Sequence, residues 1–150
     1  MDTTRCLATS VDAFVGMLPR QSPPPRMVLL KIDDTEGHDA AVLQGAADAI
    51  RHGVFDIITF EYGTTGGWAN TNLSSVVARP GGLLAESAPY FCFYDGQGSA
   101  MPMSAGCFVD EMDVKGRWSN NVCFHAVRLA ALVELLFREA LQKAAKAATR

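Results

Sequence analysis

Residues 31–46 read KIDDTEGHDAAVLQGA, and the period of the sequence changes inside them. Just before and into this stretch, residues 27–32 (MVLLKI) are almost continuously apolar. That pattern suits a strand covered on both faces, as in a parallel sheet. Further on, Val42, Leu43, Ala46 and Ile50 recur at i, i+1, i+4 and i+8, one face of a helix. Thr35 is the expected N-cap, which puts Glu36 and His38 in or near the first turn and Asp39 near its end. Gly53 supplies the stop signal, and Arg51 and His52 sit in the last turn, where positive charge suits the helix dipole. Residues 54–62 (VFDIITFEY) are a second apolar, β-branched and aromatic run. Strand, helix and strand in immediate succession predict a right-handed βαβ crossover between parallel strands.

Outward from this unit the signals are shorter. Residues 11–18 form a short amphipathic piece, broken at Pro19 and again at 23–25, where three prolines make a loop. Downstream, TTGGWANTN (64–72) reads as a loop and LSSVVAR (73–79) as a short helix ended by Pro80. YFCFY (90–94) and NVCFHA (121–126) are strand candidates flanking a Gly-, Met- and Pro-rich stretch. Residues 127–148 predict a long helix with Leu129, Leu132, Val133, Leu136, Phe137 and Leu141 on one face, a stripe that packs on its own domain or on a partner. The expected organisation is an α/β unit over 9–125 and a helical tail over 127–150.

The chain has 150 residues, enough for one domain with a real core. At 49% hydrophobic and 19% charged it reads as globular, and a net charge of −3 offers no footprint for nucleic acid. No apolar run approaches the roughly 20 residues of a membrane span, and residues 1–14 lack the apolar centre of a signal peptide. Cytoplasm is therefore the default compartment. Cys6, Cys92, Cys107 and Cys123 are scattered without zinc spacing and read as free, mostly buried thiols.

Chemistry is expected where parallel strands end, because ligands of open α/β sheets bind there. Both confident strands end in carboxylates, Asp33 after LLKI and Glu61 after IITF. Two acids at one sheet edge suit a general base, partners for a hydroxyl or amine, or metal ligands. The dipole of the following helix accounts for Asp34, Glu36 and Asp39 without function, at about 0.3–1 kcal/mol each. It accounts less well for Asp33 and Glu61, since a carboxylate finishing a buried strand needs a partner or water. His38 reads as a capping or surface residue. Gly37 either relieves backbone strain or lets something approach closely. A metal site from Asp33, Asp34, Glu36 and His38 needs a special loop, because consecutive residues point in different directions.

These residues carry a family resemblance. LLKIDDTEGHDAAVLQGA (29–46) followed by IITFEYG (57–63) resembles the second half of an FkbM-type methyltransferase domain. TSVDAF (9–14), LSSVVA (73–78), FCFYDGQG (91–98) and RWSNNVCF (117–124) are similar to other family segments, so the match runs from about Thr9 to about His125. The resemblance implies part of a Rossmann-like class I fold and S-adenosylmethionine as methyl donor. It also implies O-methyl transfer to a hydroxyl of a small-molecule acceptor, such as a sugar or polyketide-like compound. It places Asp33, Glu36 and Glu61 as catalytic residues and Asp34, His38 and Tyr62 at the substrate.

Two departures accompany it. KIDDTEG carries one residue more than the family pattern, leaving Asp33 and Asp34 as alternatives for the motif aspartate. The Gly-rich turn and ribose-binding acid of a cofactor half do not precede Lys31. The competing expectations are therefore a methyltransferase missing its N-terminal half, and a non-catalytic half-domain that binds a partner or forms a homodimer. A metal-dependent hydrolase built on the acid cluster ranks third.

Overall fold

In the computed structural model, β1 (Met27–Lys31) and β2 (Phe55–Tyr62) lie side by side in parallel, Leu29 opposite Ile57 and Lys31 opposite Thr59. The structure describes residues 8–19, 26–85, 89–96, 99–114 and 118–149; Cys6 and the three-proline loop lie outside them. The crossover between the strands is helical, as the change of period requires.

The single helix expected there is two, α2 (Asp39–Gln44) and α3 (Ala47–Arg51). The break serves the docking of α1 (Val11–Met17). The Asp12 amide donates to the Gly45 carbonyl at 2.9 Å, and the Asp12 carboxylate accepts from the amides of Asp48 and Ala49 at 3.0 and 2.8 Å. A carboxylate there satisfies the orphan donors that open α3, while Gly45 weakens continuation of α2. His38, not Thr35, holds the N-cap position of α2, and Thr35 Oγ1 donates instead to Asp39 Oδ2 at 2.5 Å. Gly53 closes α3 at φ 65°, as expected.

The remaining strands complete a mixed sheet. β5 (Ser119–His125) enters antiparallel between β2 and β3 (Tyr90–Gly96), and β4 (Ser99–Pro102) pairs outside β3, giving the order β1-β2-β5-β3-β4. One face of this sheet meets the helices. Ile58, Phe60 and Tyr62 pack there with Leu43, Ala46 and Ile50 and with Leu73 and Val77 of α4 (Leu73–Val77). Trp68 stacks 6.0 Å from Phe60 and edge-on 5.0 Å from Tyr62. Cys92 and Cys123 face each other across β3 and β5 and form a disulfide, which corrects the expectation of free thiols for that pair. Cys107 is free.

The tail helix, α5 (Ala130–Ala148), starts three residues later than the pattern suggests and packs back on its own sheet, Phe137 edge-on to Phe91 at 5.8 Å. Its anchor is Arg128, whose Nη2 donates to the carbonyls of Gly53 and Phe55 at 2.7 and 2.6 Å. Arg128 Nε and Arg26 share the buried carboxylate of Asp56, at 2.5 and 2.6 Å. The Arg26 hydrogen bond first, then Arg128, hold the Asp56 carboxyl below its ordinary value. That stabilisation is present above the unfolded carboxylate pKa and is lost as pH falls through the lowered one. Asp56→Ala leaves two guanidiniums without their buried anion, and urea unfolding at neutral pH should show a loss of about 3 kcal/mol.

Candidate functional site

Strand register sorts one sheet face into rows. Leu29, Ile57, Phe124 and Phe91 form the first, and Lys31, Thr59, Val122 and Phe93 the second. The third, at the carboxyl ends of β1, β2 and β3, is polar. Glu61, Asn120 and Asp95 are register partners, and Asp33 lies two residues beyond Lys31 on the same face. With Trp118 they line a cleft of about 390 Å³.

The carboxyl groups of Asp33 and Glu61 lie close enough to share a hydrogen bond when one of them takes up a proton. Their surroundings decide where it sits. Lys31 Nζ is 2.5 Å from Asp33 Oδ2. That bond, followed by the one to Glu61, holds the Asp33 carboxyl below its ordinary value. Burial, followed by the bond to Asp33 and its charge, pushes Glu61 up, against a bond from Trp118. Asp33 is the anion and Glu61 the first to take the proton, which is how two adjacent acids come to hold different roles.

The loops after the strands hold this pair in place. Gly37 (φ 85°) and Gly66 (φ 59°) pack backbone to backbone, and the Gly67 amide donates to the Gly37 carbonyl at 2.8 Å. A Cβ on Gly37 would lie 2.7 Å from the Thr65 carbonyl carbon, so the close approach expected of this glycine is that of the second loop. Buried Asp39 adds a pin: its Oδ1 accepts the Glu61 amide at 3.0 Å while Oδ2 takes Thr35. The turn within KIDDTEG holds two left-handed residues, Asp34 (φ 55°) and Glu36 (φ 52°).

Of the six residues expected at the site, Asp33 and Glu61 line the cleft. Asp33 is thus the aspartate that faces it, and Asp34 is exposed on the turn. Glu36 is exposed on the same turn, and His38 is exposed at the start of α2. Tyr62 corrects the expectation most plainly. It alternates to the core face, is fully buried, and its hydroxyl donates to the Asp113 carbonyl at 3.1 Å. Sequence reasoning missed Lys31, which period two places beside Asp33, and also Asp95, Trp118 and Asn120, which only the pairing of distant strands brings in. Among the described residues no three His, Cys, Asp or Glu are placed to hold a metal ion, and no helix is long and apolar enough to cross a membrane.

No protein family, curated protein or solved structure matches this chain. The resemblance therefore rests on the motifs quoted above.

Glu61 yields a pH prediction. Its carboxyl is raised in the folded state, so its contribution to stability is complete below the unfolded pKa and is lost as pH rises through the folded one. Glu61→Gln keeps the shape and removes the titration. Thermal unfolding should show the variant melting above the wild type at neutral pH and the gap closing in acid. A wild type as stable as the variant throughout would contradict the raised value.

Proposed function

We propose that this chain is the acceptor-side half of an S-adenosylmethionine-dependent O-methyltransferase, with the Asp33–Glu61 pair receiving the acceptor hydroxyl. One observation carries the reading: two carboxyl groups side by side at the ends of two adjacent parallel strands, inside a cleft. Ionised Asp33 is placed to accept the hydroxyl's hydrogen bond and to take up its proton, with Lys31 beside it. General-base help of this kind is worth about 10²–10⁴ in rate. Trp118, 60% exposed at the lip, offers an apolar face to the acceptor's carbon skeleton.

The described residues do not fit the methyl donor. A nucleotide-type cofactor needs an open Gly-rich turn onto a helix N-terminus. Here the glycines that follow the two strands, Gly37 and Gly66, fill each other's space. The donor's pocket would then lie on another polypeptide segment. A second reading, a half-domain that works by association alone, is favoured by the exposed apolar residues of β1.

The acceptor side is tested by titrating isotope-labelled protein with simple methyl glycosides and following amide and indole resonances. Shifts are expected at the Trp118 indole and the Glu61 and Asn120 amides, lost in Asp33→Ala and Glu61→Ala variants that stay folded. Silence at the cleft, or shifts that survive both substitutions, would overturn the reading. Calorimetry with S-adenosylmethionine should detect no binding to the chain alone; micromolar binding would refute the donor's assignment elsewhere.

A further inference from the structure

We propose that Asp95 makes the cleft selective for cyclic amino alcohols, by holding a protonated nitrogen across the ring from the hydroxyl that meets Asp33 and Glu61. Such selectivity rests on the reading of the cleft as an acceptor site, and it names the acceptor's class. β2 and β3 are both antiparallel to β5, so β3 runs in the direction of β1 and β2. Asp95 therefore ends its strand at the same sheet edge as the acid pair. It stands in one row with Glu61, each of them the register partner of Asn120.

The charges of the cleft do not balance. Among the described residues that line it, the carboxyl groups of Asp33, Glu61 and Asp95 face a single ammonium, that of Lys31. That ammonium is already committed, 2.5 Å from Asp33 Oδ2. Asp95 is exposed on the cleft wall, and no cation of the described residues pairs with it. A concave surface with surplus charge of one sign concentrates ligands of the other. A ligand's cation thus goes to Asp95, whose charge is unmet, rather than to Asp33, whose charge Lys31 meets.

The register also sets the size of the ligand. Neighbouring strands lie about 4.8 Å apart, so the backbones at Glu61 and Asp95 are separated by two such steps, roughly 10 Å. Side chains on one face stand off the sheet side by side. A hydrogen bond of about 2.8 Å at each end leaves on the order of 4 Å between the ligand's oxygen and its nitrogen. That is the span across a six-membered ring. Asn120 lies between the two ends, and Trp118 borders the cleft beside them. Gly63 leaves the indole room, since a Cβ there would lie 3.6 Å from Trp118 Cδ1. The exposed indole is the flat apolar surface that a saturated ring carrying polar groups at both ends needs.

The test compares two ligands of one shape, 4-aminocyclohexanol, protonated at neutral pH, and cyclohexane-1,4-diol. Each is titrated into the labelled full chain at low ionic strength while the Trp118 indole and Asn120 amide resonances are followed. The amino alcohol should bind about fivefold more tightly than the diol, the scale of one exposed ion pair. The gap should narrow as salt is added. Asp95→Asn, an isosteric change at an exposed position, should bring the two ligands to equal affinity. Asp33→Asn should weaken both and preserve their ratio. Equal affinities in the wild type, or a preference for the amino alcohol that survives Asp95→Asn, would overturn the role of Asp95 while leaving the acceptor reading in place. Silence of the cleft toward both ligands would overturn both.

Discussion

Two carboxyl groups this close repel when both are charged, so Asp33 and Glu61 divide the first proton they take up unequally. Much of the molecule's local design bears on how they divide it. Parallel pairing of β1 and β2 brings the two ends together, the glycine contact between the following loops locks them, and Asp39 ties the Glu61 backbone to the start of α2. Lys31 then favours charge on Asp33, and partial burial favours the proton on Glu61. The sheet builds the pair, and its neighbours polarise it.

Legibility in the sequence followed the range of the interactions involved. The βαβ unit was readable because an apolar run, a change of period and a second apolar run are local signals. Asp33 and Glu61 followed from the rule that parallel sheets bind ligands at their carboxyl ends. Tyr62, which the resemblance put at the substrate, is buried instead because strand alternation sends it to the face opposite Glu61. The split between α2 and α3 depends on Asp12, more than thirty residues upstream of the amides it caps. The disulfide, Asn120, Asp95 and Trp118 all depend on β5 inserting between β2 and β3. No local period encodes that insertion, since alternation in residues 119–125 fits either order of pairing.

Two features of the molecule meet at β1. Its carboxyl end leads into the cleft that holds Asp33 and Glu61, and its outer side is an apolar edge with which no strand of the described residues pairs. The buried core is nonetheless sizeable. Trp68, Tyr62, Phe55, Phe60 and Phe93 are all fully enclosed, so the sheet and its helical layer have a core of their own. Among the described residues, what the edge lacks is a neighbouring strand rather than a hydrophobic core.

The central claim is that Asp33 and Glu61 titrate apart, Glu61 taking up a proton first. Its most direct test is carboxyl-carbon NMR of protein labelled at aspartate and glutamate, titrated through the acid range with Glu61→Gln and Asp33→Asn used for assignment. The account predicts that Asp33 titrates below the ordinary carboxylate range and Glu61 above it, and that each returns toward its ordinary value when the other is replaced. Ordinary titration of both groups, unaffected by either substitution, would contradict it.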